Sequence, residues 1–233
     1  MENLTNWLRG PLFWAVLAWA LLGLGRHVLV TLWEVRRIVR QAGDPRVAYG
    51  RVLRTTLGWL VPLTHLRQRP LFSGTSVLFH VAVIVVPIFL AGHIALLQGA
   101  LGIGWPALPN ALATTLTVLA LITAVGLVLQ RLLAPDARVL SRAQDYLLPL
   151  LVGLPFATGL LLMHPAVSPL SYQTALFLHV LTADVALLLT PLTKLSHMAL
   201  LPLTQLVSET AWHFPPDAGA RVEMALGKVG EPV

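Results

Sequence analysis

Apolar positions gather into five long runs along this chain, at about Pro11–Trp33, Leu71–Leu97, Leu108–Leu129, Tyr146–Met163 and Tyr172–Leu201. A helix needs roughly 20 predominantly apolar residues to cross a bilayer, so each run reads as a membrane span. The pattern predicts an all-α integral membrane bundle of five transmembrane helices over residues 1–207, with a tail over 208–233. No internal repeat or low-complexity segment interrupts it.

Polar positions between the runs set the expected orientation. The connection 34–70 carries Arg36, Arg37, Arg40, Arg46, Arg51, Arg54, Arg67 and Arg69, and the connection 130–145 carries Arg131, Arg138 and Arg142. The connections 98–110 and 164–171 carry no Lys or Arg. Basic loops stay on the cytoplasmic side, so the N-terminus is expected outside and the C-terminus in the cytoplasm. Within the first basic loop, Val52–Leu66 is too short and too polar to span; an interfacial helix broken at Pro62 is expected. The tail from Ser208, mixed in charge and holding several Pro and Gly, is expected to be partly ordered and to dock on a cytoplasmic partner.

Composition agrees. Of 233 residues 56% are hydrophobic and 11% charged, with a mean hydropathy of +0.76, against about 25% charged in a soluble domain. No room is left for a sizeable soluble domain. Met1–Gly10 lacks a basic n-region and the first run is long enough to span, so that span is expected to be its own insertion signal. The net charge of +6 and pI near 10.8 come from residues flanking the spans, which points to topology and not to nucleic acid. Cysteine is absent, which excludes disulfides, iron–sulfur ligation by this chain and covalent CxxCH haem. Any redox cofactor must be held by His or Met.

Histidine placement then becomes the informative feature. Read as one helix, Leu176–Pro202 carries His179 and His197, eighteen residues apart. That is close to five turns, which puts both rings on one face about 27 Å apart along the axis. Phe79–His93 carries His80 and His93, again one near each end. With the topology above, His93 pairs with His179 toward the outer side and His80 with His197 toward the inner side. Two such pairs at two depths suit two haems with both axial positions filled by imidazole, a state fitted to electron transfer and not to oxygen binding. The plainer reading is that these are polar residues bonded between helices, but an ionisable group in a span is costly and usually functional. Zinc fits less well because it would gather its ligands into one tetrahedron. The thirteen residues between His80 and His93 amount to about 220° around an ideal helix, so a kink or π-bulge near Pro87 is expected to rotate the second half.

His27, His65, His164 and His213 fall at span boundaries or outside them and read as solvated or interfacial. His164 is placed on the outer side, where a proton can be released. Asp184 is an acid inside a span, either a proton acceptor or a bonded interhelical group. Lys194, just before His197, is positioned to meet a haem propionate or to snorkel.

These residues resemble the gamma subunit of respiratory nitrate reductase and its relatives. Leu178-His179 followed by Pro191-x-Thr-Lys-Leu-Ser-His197 is similar to that subunit's last span. Phe79-His80 with Ala91-Gly92-His93 is similar to its second, and Arg131–Leu151 to its basic connection. The resemblance covers about Leu71–Pro202, while the first helix and its arginine-rich loop match poorly. It implies two haem b groups, quinol oxidation near the outer haem, and exchange of electrons with an iron–sulfur or other redox subunit at the cytoplasmic face of a bacterial or archaeal inner membrane. By the same resemblance His93 and His179 match the outer ligands, His80 and His197 the inner ones, and Gly92 a glycine beside the quinol site. The His80–His93 gap is longer by about one turn than in nitrate reductase members and is similar to relatives serving sulfur-metabolism complexes. Two readings of other kinds stand beside this one, a haem-free anchor of a redox complex and a small transporter. A transporter is expected to show inverted repeats or broken helices, and neither is evident in the sequence. Electron flow toward quinone is also open.

Overall fold

The computed structural model describes residues 1–42, 49–60, 66–67, 69–211, 215 and 217–231. Among them every regular element is helical, and five helices are long and apolar enough to cross a membrane: Glu2–Arg37, Pro70–Phe89, Asn110–Leu133, Ala143–Met163 and Tyr172–Leu192. The protein is a multi-pass membrane protein. Residues His65, His213 and Pro62 lie outside the described set.

The first span opens with α1 (Glu2–Trp7), passes through a π-helical turn at Leu8–Leu12, and continues as α2 (Phe13–Ala42). Pro11 sits inside that turn and has no N–H to give the helical ladder, so the hydrogen bonding slips by one residue there. The arginine-rich connection holds α3 (Tyr49–Leu60), an amphipathic helix that begins three residues before the expected Val52. Next come α4 (Pro70–Phe89), with its proline at the first helical position, α5 (Ala91–Leu101) and α6 (Asn110–Leu133). They are followed by α7 (Pro135–Leu140), α8 (Ala143–Met163) and α9 (Tyr172–Leu189). At the start of α8 the Arg142 backbone N–H donates to Asp145 Oδ2 at 2.8 Å, which satisfies an amide there and sets a carboxylate against the positive end of the helix. Beyond α9 lie two 3-10 turns, Thr190–Leu192 and Lys194–Ser196, then α10 (His197–Thr210) and α11 (Ala218–Leu226).

Two sequence expectations need correction. The run to Pro202 is not one helix. Pro191 supplies no amide proton, Thr193 is extended (φ −127°, ψ −177°), and local side chains take over the backbone groups. Thr193 Oγ1 accepts from Leu195 N–H at 3.3 Å, and Ser196 Oγ–H donates to Thr193 O at 2.9 Å, an alternative to the helical ladder that Ser and Thr favour. His179 and His197 therefore belong to different helices, and five turns of one helix do not relate them. The second correction concerns Pro87. The interruption falls at Leu90 (φ −75°, ψ 130°) and is a complete break between α4 and α5, in place of a kink or bulge.

Packing divides the chain into two compact units. The first comprises Met1–Ala18 and Thr64–Leu189, the second Trp19–Leu63 and Thr190–Val233. In the first, α4 packs on α6, α6 on α8, and α8 on α9, with α1 and the π turn also against α9. Small residues allow this approach: Ala82 and Ala120 are 0% exposed and share a cluster with Val86 and Phe156, while Phe79, Ala124 and Leu127 form a second. In lipid, helix association relies on such close packing and on interhelical hydrogen bonds, of which Gln130 Nε2–H to Thr75 Oγ1, at 2.8 Å, is one. The helix α5, which follows α4 and carries His93, meets α9 through a side-chain contact of His93 with His179. In the second unit α3 packs on α10, and α2 brings Gly23 and His27 to Pro191.

Candidate functional site

The break at Leu90 is where the site begins. A helix ends with four carbonyls that lack intrahelical partners, and in a membrane each must find another donor. All four are accounted for here. The last regular helical bond runs from Leu90 N–H to Val86 O at 3.0 Å, which leaves the carbonyls of Pro87, Ile88, Phe89 and Leu90. Pro87 O accepts from His93 Nδ1–H at 3.0 Å. Ile88 O accepts from the Trp105 indole N–H at 2.9 Å, and Phe89 O from Leu108 N–H at 2.8 Å. The restart is closed by Leu90 O, which accepts from the amides of His93 and Ile94, both at 3.0 Å. The ring of His93 is thus a side-chain cap for the helix that precedes it.

His179 enters from α9. Its Nδ1–H donates to Pro155 O of α8 at 2.9 Å, with Thr158 Oγ1 3.4 Å from the same nitrogen. Gly159, one turn past Pro155, makes room for the ring: a Cβ there would lie 3.2 Å from His179 Cε1. The rings of His93 and His179 are 6.0 Å apart between centroids and 12° from parallel. The structure brings this pair together.

His80 lies in the first unit and His197 in the second. His80 Nδ1–H donates to Ser76 O at 2.7 Å within α4. His197 Nδ1–H donates to Lys194 O at 2.6 Å across the second 3-10 turn. All four histidines singled out by spacing therefore bond a carbonyl through Nδ1. A carbonyl only accepts, so the proton sits on Nδ1 and the lone pair on Nε2. That is the tautomer a metal-binding imidazole needs, held by the kind of carbonyl partner that orients such ligands. His27 and His164 differ: His27 Nε2–H donates to Pro191 O at 2.9 Å, and His164 Nε2 lies 3.3 Å from Thr114 Oγ1.

The other sequence-selected residues divide. Asp184 is 3% exposed, and among the described residues neither carboxylate oxygen has a hydrogen-bond partner, an expensive state for a buried acid. Gly92 faces open space, with nothing within 4 Å of where a Cβ would stand. His164 is exposed at the end of α8, and the Lys194 side chain is exposed on its 3-10 turn. Among the described residues no three His, Cys, Asp or Glu side chains gather, so the histidines there are offered as pairs and singles. Such pairs can grip a metal centre from two sides.

Sequence reasoning missed Trp105, Pro155 and Gly159. Trp105 sits in a Gly-Trp-Pro step of the connection between α5 and α6, and a tryptophan near the end of a span with its indole N–H bonded is a recognisable signal. Pro155 and Gly159 act through a backbone carbonyl and an empty Cβ position, neither of which leaves a mark in the residue pattern.

No protein-family model matches the chain, and no solved structure matches it. The chain is 37% identical over 202 residues to a protein of Nitratidesulfovibrio vulgaris (strain Hildenborough) whose name states no activity, an alignment spanning 83% of this chain and 86% of that relative. The chain therefore belongs to the same protein family as this N. vulgaris protein.

Proposed function

We propose that the chain is a membrane cytochrome b subunit holding two b haems, which exchanges electrons between the quinone pool and an iron–sulfur or other redox partner subunit. The observation that carries this reading is the shared tautomer: His80, His93, His179 and His197 each donate Nδ1–H to a carbonyl. In the neutral ring this leaves the lone pair on Nε2 and makes it more basic. The spacing of the outer pair supports it. An imidazole nitrogen binds a metal at about 2.0 Å, so an iron held by one nitrogen of each ring would set the centroids about 6 Å apart. The observed value is 6.0 Å.

His93 and His179 would hold the outer haem, His80 and His197 the inner one. When bound, haem supplies a one-electron carrier suited to the stepwise oxidation of a quinol. The chain's own residues do the rest. Two imidazoles per site would hold each iron and suit it to electron transfer in place of oxygen binding. The break at Leu90 lets the His93 ring bond Pro87 O and lie against His179. Quinol binds beside His93 and the open backbone at Gly92. Its protons leave through His164 or Asp184, the first exposed at the helix end and the second a buried acid whose oxygens have no partner among the described residues. Lys194 offers a cation for a haem propionate. The arginine-rich connections face the cytoplasm and, with the tail, meet the partner subunit.

Interrupted helices are also found in transporters, so a transporter is the competing reading. A reduced-minus-oxidised absorption spectrum of the purified protein, from cells supplied with haem precursor, separates the two. A sharp b-type α-band with two haems per chain is expected. A colourless preparation would leave an anchor or a transporter.

A further inference from the structure

Both interrupted helices expose a carbonyl that a ring N–H from elsewhere in the same unit comes to satisfy. In the first unit the Trp105 indole donates to Ile88 O at 2.9 Å, the carbonyl next to Pro87 O, on which His93 is bonded. In the second unit His27 Nε2–H donates to Pro191 O at 2.9 Å, at the head of the two turns that end on His197. Gly23 lies one turn before His27 on α2, and a Cβ there would stand 2.5 Å from Pro191 Cβ. That approach brings Pro191 within reach of the imidazole and admits no side chain at position 23.

We infer that Trp105 and His27 are positioning residues. Each donates a ring N–H to a carbonyl of an interrupted helix and so fixes the segment bearing His93 or His197. The physical case is that a break in a membrane helix is stable only where its carbonyls are satisfied by protein, and leaving one unmade costs more than a made bond contributes. Ile88 O has no amide four residues on to receive, because the chain turns at Leu90. Without the indole, the favourable remedy is for the turn 87–93 to rearrange. The bond from His93 Nδ1 to Pro87 O sits in that turn. Removing His27 does the same to Pro191 O and hence to the turn carrying Lys194 O, on which His197 is bonded. Neither residue touches an iron in this scheme. Each acts through the strength and direction of a ligand's Nδ1–H bond, which tunes the basicity of its Nε2.

This rests on the di-haem reading, and the experiment separates the two. Trp105→Phe keeps the ring and removes the donor, and Trp105→His restores one; His27→Leu and His27→Gln are the matching pair. Two readouts are taken on the full chain: redox titration of each haem, and amide hydrogen exchange over 86–94 and 189–197. Trp105→Phe is expected to shift the reduction equilibrium of one haem by up to tenfold, about 59 mV for one electron, and to speed exchange over 86–94 alone. His27→Leu is expected to shift the other haem and to speed exchange over 189–197 alone, with Trp105→His and His27→Gln restoring each. Loss of one haem with retention of the other, following the same assignment, also supports the inference. Unchanged titrations and exchange, or equal changes in both haems and both segments, would overturn it. If the wild-type chain carries no haem, the cytochrome reading falls, and the exchange pattern alone decides the positioning roles.

Discussion

His93 and His179 come from helices whose backbones do not pack on each other, yet their rings lie 6.0 Å apart and 12° from parallel. Each ring is held from behind by a carbonyl next to a helix irregularity. Pro87 O lies just before the break at Leu90, and Pro155 O is a proline carbonyl inside α8. The pair is thus prepared from the backbone outward.

Single alanine substitutions test the pairing. His93→Ala and His179→Ala should each reduce haem content from two per chain to one and remove the same spectral component. His80→Ala and His197→Ala should remove the other, as the pyridine haemochrome ratio and the α-band position would show. If His80→Ala and His179→Ala delete one and the same component, the assignment by depth is wrong.

Gly159→Ala probes the space behind His179. The added methyl would lie 3.2 Å from the ring, so the imidazole must move by a few tenths of an ångström. Alanine is favoured over glycine inside a helix by about 1 kcal/mol, so folding should survive with a similar melting temperature. The low-spin electron paramagnetic resonance signal of one haem should change. An unaltered signal would show that the ring has slack there.

Asp184 is buried with both oxygens unpartnered among the described residues, and Asp184→Asn distinguishes its two roles. As a proton acceptor for quinol, its replacement should leave two haems per chain while slowing quinol-driven haem reduction by at least about a hundredfold, the usual scale for a positioned base. As a merely tolerated acid, the same change should leave the rate alone and stabilise the fold by about 1–3 kcal/mol by removing a buried charge without partners.

Acid sensitivity should appear at the connection between α6 and α8. Arg69 bonds Asp136 at 2.7 Å and holds that carboxyl below the usual aspartate range, first through the side-chain hydrogen bond. A depressed folded value means the contribution is complete above the unfolded value, near about 3.9, and is lost as pH falls through the folded one. Both groups are well exposed, so the effect is small. Melting curves should show Asp136→Asn slightly below wild type near neutral pH, with the difference gone in strong acid.

The sequence by itself settled the spans and left the breaks unplaced. Five apolar runs of the right length appear as five spanning helices, because burial of backbone polar groups in lipid admits no other solution for such segments. Boundaries moved where polar ends continued a helix: α2 runs on to Ala42 past the expected Trp33. Pro87 and Pro191 were visible as missing donors. That the helices stop outright at Leu90 and Thr193, in place of bending, was not, because the outcome depends on donors distant in sequence. Trp105 and Leu108 reach Ile88 and Phe89, and His27 reaches Pro191.

The same division holds for the histidines. Composition and spacing singled out His80, His93, His179 and His197 because ionisable side chains in apolar runs stand out. Residue identity says nothing of which ring nitrogen carries the proton, which is decided by the nearest carbonyl in space. The carbonyls of Ser76, Pro87 and Lys194 come from the local backbone of each ring, while tertiary packing supplied Pro155 O and the empty position at Gly159. Chain pattern fixes what must leave water, since that is a property of each residue alone; where the orphaned backbone groups find partners is a property of the packed whole.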